Sequence, residues 1–240
     1  MRSRKRFVAA AIAAGALALA VASLAMSSTR VGSASSNPAR VTPSPAELAT
    51  VHDRVEQWLG LAGFSGFRVS VVMAFTNNDY AAVNGKDGKP AFELIVAPNK
   101  SWLMEELASM MWNTRYGLLA DTSGTPRINS VWGMIGGANM MGSAWGMIGG
   151  TGTKGGSTAW YGNGSGKVTS LKRAIAVADK WLAKARPGES AEKDGRFFPG
   201  YFTMDLTRSG KTAGMLSVNA STGAVWYHGW HGTFLSERKF

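Results

Sequence analysis

Two stretches of the chain place apolar residues at the spacing of an amphipathic helix. The first follows Ser44-Pro45-Ala46-Glu47, a capping box with proline at the first helical position, and predicts a helix over 45–62 that ends before Gly63. The second is capped by Thr169 or Ser170 and ends at Pro187-Gly188. The two apolar stripes consist of Leu48, Val51, Val55, Trp58, Leu59 and Ala62, and of Leu171, Ala174, Ile175, Ala178, Leu182 and Ala185.

Each predicted helix is followed by short segments rich in β-branched and aromatic residues, which indicate strands. After the first helix these segments are 67–75, 80–83, 91–96 and 101–104. After the second helix they are 201–207, 213–218 and 224–228. Asp87-Gly88 supplies the positive φ that a hairpin turn needs, and glycines at 210 and 223 mark two further turns. The pattern predicts an α+β fold with antiparallel sheets.

The two halves of the chain match each other at a nearly constant offset. Trp58 aligns with Trp181 at an offset of 123 residues, and Leu94 aligns with Leu216 at an offset of 122. Gly88-Lys89 likewise aligns with Gly210-Lys211. This predicts two repeated helix-plus-antiparallel-sheet units, 44–115 and 169–240, that superpose and bury both tryptophans between helix and sheet.

The segment 116–168 between these units differs in composition. It holds 15 of the 30 glycines and one acidic residue, Asp121. The sequence Trp-Gly-Met-Ile-Gly-Gly occurs twice in it, starting at Trp132 and at Trp145. Because glycine at this density disfavours helix and strand alike, we expect an irregular and mobile Gly/Met/Trp-rich insertion.

The N-terminus has the pattern of an export signal. Residues 1–6 are basic, and residues 7–26 form an uncharged, mostly apolar run. We expect residues 1–34 to be a signal peptide or an uncleaved membrane anchor, followed by a linker over 35–43. Both alternatives place the remaining chain outside the cytoplasm. A cleaved signal gives a periplasmic or secreted protein, and an uncleaved segment anchors the protein to the membrane. Membrane contact is expected through that segment alone, if it stays uncleaved.

Composition narrows the possible functions. The full chain has 26 basic and 15 acidic residues, but the exported part has a net charge of only +6, since residues 1–34 hold five basic residues. Proteins that bind nucleic acids are typically more basic than this, so we expect no nucleic-acid partner. The absence of cysteine excludes disulfides, thiolate zinc sites and cysteine nucleophiles. The adjacent carboxylates Glu105 and Glu106 diverge in direction, and no hydrolase motif is present, so we expect no enzyme.

The second half carries a recognisable hairpin. Val218-Asn219 and Thr222-Gly223-Ala224-Val225 follow the pattern V-D/N-x-x-T-G-x-V. Residues 170–228 thereby resemble the PepSY (peptidase-propeptide and YpeB-type) domain, and the first half resembles it through the internal repeat. The resemblance implies a non-catalytic, exported cell-envelope module that restrains an envelope peptidase or binds another envelope component.

Two groups of residues are candidates for binding. The end of the first unit and the insertion are rich in aromatic and polar residues. We expect these residues to form either a partner-binding surface or a plug between the units. They are Met111, Trp112, Asn113, Tyr116, Trp132 and Trp145. Thioether sulfurs and imidazoles select copper, so the alternative function is a periplasmic copper-binding protein. Its candidate ligands are His228, His231, Met110, Met111, Met140 and Met141.

The His228-Gly-Trp-His231 pair has a simpler explanation as well. No third nitrogen or carboxylate ligand lies near it in the sequence. The alternation along the strand sends Val225 and Tyr227 to one face and Trp226 and His228 to the other. On this explanation His231 lies beyond the strand, and the two imidazole rings need not converge.

Overall fold

The helices and strands of the chain are described here from a computed structural model, which covers residues 40–117, 120, 161–162 and 164–240. The helices of this part are α1 (Pro45–Leu61), α2 (Leu107–Trp112), α3 (Leu171–Ala185) and a 3-10 helix, η1 (Gly229–His231). The strands are β1 (Arg68–Phe75), β2 (Asp79–Asn84), β3 (Pro90–Val96), β4 (Leu103–Glu105), β5 (Tyr161–Gly162), β6 (Glu189–Ala191), β7 (Arg196–Phe198), β8 (Tyr201–Arg208), β9 (Lys211–Asn219), β10 (Val225–Tyr227) and β11 (Phe234–Lys239).

The strands form two antiparallel sheets. The first sheet has the order β11-β1-β2-β3-β4, and the second has the order β5-β10-β9-β8-β6, with β7 also paired to β8. The last strand of the chain therefore joins the first sheet, where Lys239 lies opposite Val71 on β1. The sequence predicts helices combined with antiparallel sheets, and this is confirmed. The strands β6, β7 and β11 and the helix α2 are additions that the sequence pattern did not predict.

The ends of α1 follow from its sequence. Ser44 Oγ accepts a hydrogen bond from the Glu47 amide, and Glu47 Oε2 accepts one from the Ser44 amide at 2.7 Å, which completes the capping box. At the other end, Gly63 adopts a φ of +82°, a conformation that other residues rarely tolerate. The predicted helix over 45–62 agrees with α1 to within one residue.

Side-chain packing arranges these elements in four layers. The helix α1 covers the outer face of the first sheet, with Val55 and Leu59 against Val72 and Leu94. The helix α3 covers the outer face of the second sheet in the same way. The inner faces of the two sheets pack on each other through the inter-sheet layer, whose apolar members are Val71, Met73, Phe75, Tyr80, Ala82, Ala108, Phe198, Tyr201 and Met215. The order of layers is helix, sheet, sheet, helix.

The two tryptophans of the predicted repeat differ in burial. Trp58 is 4% exposed within the core between α1 and the first sheet. Trp181 is partly buried and packs at the margin of the corresponding core under α3. The expectation of deep burial is confirmed for Trp58 and is too strong for Trp181, because Ala174, Ala178 and Leu182 form the fully buried stripe of α3.

Two predicted segments lie largely outside the described residues. These are the signal or anchor, 1–34, and most of the insertion, 116–168, including both Trp-Gly-Met-Ile-Gly-Gly copies. Where the insertion is described, Tyr161–Gly162 pairs with β10 and forms an edge of the second sheet. None of the helices in the described residues is long and apolar enough to span a membrane.

Candidate metal centre

Three buried side chains from the two halves of the chain meet in the inter-sheet layer. They are Glu106, His228 and His231, each at most 2% exposed. One potential ligand atom from each lies within 4.8 Å of the other two. Glu106 Oε1 and His228 Nδ1 are 3.5 Å apart. Two imidazoles and a carboxylate are a common set of ligands for a transition-metal ion.

Glu106 is held by the start of α2. It follows β4 directly, and its backbone amide donates to the Glu93 carbonyl at 2.9 Å. Its Oε2 atom caps α2 by accepting from the amides of Ala108, at 2.7 Å, and Ser109, at 3.3 Å. Because Oε2 is used in this way, Oε1 is the atom that faces the two histidines.

His228 is placed by the end of β10. Its backbone amide donates to the Met215 carbonyl at 3.0 Å, and its Nε2 lies 3.0 Å from Ser217 Oγ. The ring stacks on Trp230, with centroids 4.7 Å apart and planes at 22°. These contacts fix the ring so that Nδ1 faces Glu106.

His231 is placed by the turn η1 and by Asn78. The Nδ1 atom of His231 lies 2.5 Å from Asn78 Oδ1. Asn78 Nδ2 donates to the Trp230 carbonyl at 3.2 Å, which orients the amide so that its oxygen accepts from the imidazole. His231 therefore carries its proton on Nδ1 and presents the lone pair of Nε2. Its ring also stacks on Phe75, with centroids 4.6 Å apart.

The loop that holds His231 is fixed to the β1–β2 turn. The backbone N–H of Asn77 donates to the His231 carbonyl at 3.1 Å, and the side-chain Nδ2 of Asn77 donates to the Trp230 carbonyl. From the other side of this turn, Arg40 donates to the Phe75 carbonyl at 2.8 Å and pairs with the buried Asp79 at 2.7 Å. Arg40, at the edge of the predicted linker, thus holds the β1–β2 turn, and this turn in turn holds His231.

The electrostatics of the three side chains are those of neutral bases beside a desolvated acid. Burial lowers the pKa of His231 to about 3 and, with the neighbouring His231, holds the pKa of His228 far below its usual range. Burial and the nearby Glu93 raise the pKa of Glu106 well above its usual range. The Glu106–His228 contact is therefore not an ion pair. A cation among these atoms would reverse the penalty on ionised Glu106.

Each of the three side chains has one buried polar atom without a hydrogen-bond partner among the described residues. These atoms are Glu106 Oε1, His228 Nδ1 and His231 Nε2. Unpaired buried polar atoms are costly, and such atoms converging on one point are unusual in a folded protein. A proton held by Glu106 on Oε1 would pair this atom with at most one of the two imidazole nitrogens and would leave the other without a partner. A metal ion would satisfy all three atoms at once.

The structure corrects the expectation for the His228-Gly-Trp-His231 pair. The expected alternation is present, because Val225 and Tyr227 lie in the core under α3 while His228 faces the inter-sheet layer. The idea that the rings need not converge is wrong, because their centroids are 5.6 Å apart. The candidate third ligand is Glu106, which lies 122 residues before His228 in the sequence and belongs to the Glu105-Glu106 pair.

The methionines of the copper hypothesis have different positions. Met110 packs in an apolar cluster with Ile95, Leu107 and Trp230. Met111 is partly buried at the end of α2. Met140 and Met141 lie outside the described residues. The structure thus brings the two histidines together with a carboxylate.

The predicted partner-binding residues of the first unit are largely inside the fold. Asn113 is 2% exposed and its Nδ2 donates to the Ala91 carbonyl at 2.7 Å, while Tyr116 is 4% exposed and packs against Phe92. Trp112 packs on Trp226 from the other half, with ring centroids 5.4 Å apart. These contacts fit the alternative in which the segment plugs the space between the units. Trp132 and Trp145 lie outside the described residues.

A sequence signal for Glu106 existed in the internal repeat. The offset of 122 residues that aligns Leu94 with Leu216 also aligns Glu106 with His228. In the structure, Leu94 lies opposite Glu105 and Leu216 lies opposite Tyr227, and these are the last residues of β4 and β10. The residue that follows is Glu106 in one case and His228 in the other. The repeat therefore points to the position of the third ligand, although not to its chemistry.

Comparisons with known proteins do not extend this description. Neither a protein-family model nor a curated protein nor a solved structure matches the chain. The function is therefore argued from the residues and their geometry.

Proposed function

We propose that this chain is an exported, non-catalytic protein of the cell envelope that binds one divalent transition-metal ion through Glu106, His228 and His231. The observation that carries the proposal is the proximity of two imidazoles and a carboxyl group, each with one buried polar atom that has no hydrogen-bond partner among the described residues. We propose further that the protein consists of two PepSY-like units and that the ion joins them.

The ligand atoms favour zinc over copper(I). Imidazole and carboxylate suit a borderline ion such as Zn²⁺, whereas Cu(I) prefers the soft sulfur of methionine or cysteine. A tetrahedral ion with ligands at about 2.1 Å has ligand atoms about 3.4 Å apart. The 3.5 Å between Glu106 Oε1 and His228 Nδ1 is close to this separation. The third atom, on His231, lies within 4.8 Å of the other two and would move closer to both on binding.

The burial of the site favours a stabilising role for the ion. All three side chains are at most 2% exposed, so a substrate would have no direct approach to the metal in this conformation. Glu106 belongs to the first half of the chain, and the two histidines belong to the second. An ion bound by all three would therefore connect the two halves, and its binding free energy would add to that of folding.

The strand order supports the two-unit part of the proposal. The order β1-β2-β3-β4 in the first sheet corresponds to β6-β8-β9-β10 in the second. In both sheets the Gly-Lys turn, at Gly88 or Gly210, joins the second of these strands to the third. Two backbone hydrogen bonds also correspond: the N–H of Glu106 donates to the Glu93 carbonyl, and the N–H of His228 donates to the Met215 carbonyl. The ion would thus lie at equivalent ends of the two units.

Export and the PepSY-like character rest on the sequence. The basic and then apolar N-terminus supports export, and the turn between β9 and β10 supports the family resemblance. A partner in the envelope, either a peptidase or another component, remains part of the proposal as the context in which a metal-stabilised module would act.

The test is a Zn²⁺ titration of the metal-free full chain against a chromophoric chelator, with Co²⁺ absorption to report the ligand geometry. We expect one ion per chain. Replacing each ligand in turn, as Glu106→Gln, His228→Ala and His231→Ala, should weaken binding at least about tenfold, or about 1.4 kcal/mol. His52→Ala is the matched control, because His52 lies on the outer surface of α1 and stacks on Phe240.

The proposal fails if the wild-type chain does not compete with the chelator, or if the three variants bind as the wild type does. Circular dichroism of each variant shows whether it is folded, and Glu106→Gln changes the least volume if a histidine variant is not. A parallel titration with Cu(I) decides the alternative. Tighter binding of Cu(I) that is insensitive to Glu106→Gln would favour the methionine-based copper site instead.

A further inference from the structure

The proton on His228 decides whether this residue can bind a metal ion. A neutral imidazole has one N–H and one lone pair, and the atom that carries the lone pair is set by the hydrogen bond of the other nitrogen. His228 Nε2 lies 3.0 Å from Ser217 Oγ, and Nδ1 faces Glu106. If Ser217 donated to Nε2, the proton of the ring would sit on Nδ1 and would block the metal.

The hydroxyl of Ser217 belongs to a longer chain of buried hydrogen bonds. Ser217 Oγ lies 2.8 Å from Thr203 Oγ1, and Thr203 Oγ1 donates to Glu93 Oε2 at 3.1 Å. Glu93 also accepts from the hydroxyls of Tyr201, at 2.7 Å, and of Tyr80. The chain Glu93–Thr203–Ser217–His228 is buried along its whole length.

The acceptor at one end gives this chain a direction. A carboxylate only accepts, and each hydroxyl has a single proton to donate. Thr203 donates its proton to Glu93, so Ser217 must be the donor to Thr203. The oxygen of Ser217 then accepts from His228, which places the ring proton on Nε2 and leaves the lone pair on Nδ1.

We propose that Glu93, Thr203 and Ser217 form a directed hydrogen-bond relay that holds His228 in its Nε2–H tautomer and so presents Nδ1 to the metal ion. The three are positioning residues, and their effect on metal affinity rests on the proposed function. Metal-bound histidines are often oriented by a carboxylate on the other nitrogen. Here two hydroxyls carry the same effect from Glu93 to the ring.

The charge of Glu93 is consistent with this role. One divalent ion beside Glu106 leaves one positive charge in excess within the inter-sheet layer. Burial raises the pKa of Glu93 to about 7, and a cation beside Glu106 would favour the ionised form of both carboxyl groups. The relay therefore joins the ring and its counter-charge through buried groups.

The test removes one hydroxyl from the relay without changing the shape of the side chain. Thr203→Val should weaken Zn²⁺ binding by the full chain about 10- to 100-fold. In ¹⁵N-labelled, metal-free protein, the His228 ring should be Nε2–H in the wild type and should shift toward Nδ1–H in Thr203→Val. Thr203→Ser keeps the hydroxyl and should restore both the tautomer and the affinity.

Thr207→Val is the matched control. It removes a hydroxyl from the same strand, β8, where Thr207 Oγ1 lies 3.1 Å from Ser190 Oγ in an exposed pair outside the relay, so tautomer and affinity should stay close to those of the wild type. If Thr203→Val does not fold, Ser217→Ala interrupts the relay one bond nearer to His228 and serves in its place.

A wild-type His228 in the Nδ1–H form would overturn the relay, as would an unchanged tautomer in folded Thr203→Val. Unchanged Zn²⁺ affinity in that variant would overturn the role of the relay in metal binding. The tautomer is measured without metal. Failure of the wild type to bind Zn²⁺ would therefore reject the proposed function, while the spectra would still decide the relay.

Discussion

Glu106 and His228 occupy the same position in the two sheets, each as the first residue after the short strand that follows a Gly-Lys hairpin, and their Oε1 and Nδ1 atoms are 3.5 Å apart. A single offset of 122 residues relates them. The two sheets face each other, so the residues that follow β4 and β10 meet in the inter-sheet layer. His231 then adds a nitrogen from the turn η1, which is specific to the second half.

Trp58 is expected to contribute more to stability than Trp181. Trp58→Ala removes a 4%-exposed side chain from the core under α1 and should lower the free energy of unfolding by about 3–5 kcal/mol. Trp181 is partly buried, so Trp181→Ala should cost about half as much. Urea unfolding followed by circular dichroism measures both changes. Equal losses in the two variants would show that α3 is packed more like α1 than the structure indicates.

The Arg40–Asp79 pair should be important for stability because one partner is fully buried. Arg40 is 19% exposed, Asp79 is 0% exposed, and the atoms are 2.7 Å apart. Arg40→Ala leaves a buried carboxylate without its partner and should cost about 3 kcal/mol. The double variant Arg40→Ala/Asp79→Asn should lose less, since no charge is then left unpaired.

Arg68→Ala is the control for this prediction. Arg68 pairs with Glu56 at 3.8 Å and is 70% exposed, so its removal should cost less than about 1 kcal/mol. Chemical unfolding of the four proteins gives the comparison. A double variant that is less stable than Arg40→Ala would contradict the argument from the buried charge.

Gly232 should be required for the loop that carries His231. It has a φ of +81°, and a Cβ atom added to it would collide with Thr76 Oγ1 and approach Asn77. Gly232→Ala should therefore lower the melting temperature and weaken Zn²⁺ binding together, because it displaces the loop from the β1–β2 turn.

Gly88 provides the matched control. Its φ is +74°, but a Cβ atom there would meet nothing within 4 Å. Gly88→Ala should cost about 1 kcal/mol of stability and leave Zn²⁺ affinity unchanged. If both variants bind Zn²⁺ equally well, the loop does not need its close contact with Thr76 to place His231.

Asp205 should make stability depend on pH. Burial, together with the charges of Glu237, Glu192 and Asp194, raises the pKa of Asp205 from 3.8 to about 7. The folded state thus holds this proton more tightly than the unfolded state. The resulting stabilisation is complete below a pH of about 4 and is lost as the pH rises through about 7.

Asp205→Asn removes this dependence. The variant should gain stability relative to the wild type, and the gain should be larger at pH 8 than at pH 5 by about 2–3 kcal/mol. Unfolding curves at the two pH values measure it. A gain that is the same at both would mean that Asp205 titrates normally in the folded chain.

The sequence by itself determined the local structure. The capping box at Ser44, the turn at Gly88 and the alternation before His228 each depend on neighbouring residues, and all three appear as predicted. The pattern also predicted correctly that helices combine with antiparallel sheets. Such features are set by backbone geometry and by the period of apolar positions, which can be read directly from the chain.

Only the tertiary structure decided that the two sheets pack face to face and that Glu106 completes the pair His228 and His231. The packing also turned Asn113 and Tyr116 inward, and it paired β11 with β1. The contacts of β1 with β11 and of Glu106 with His228 join residues more than 100 positions apart. A pattern of neighbouring residues carries no information on which buried polar groups will meet, because that depends on how the sheets stack.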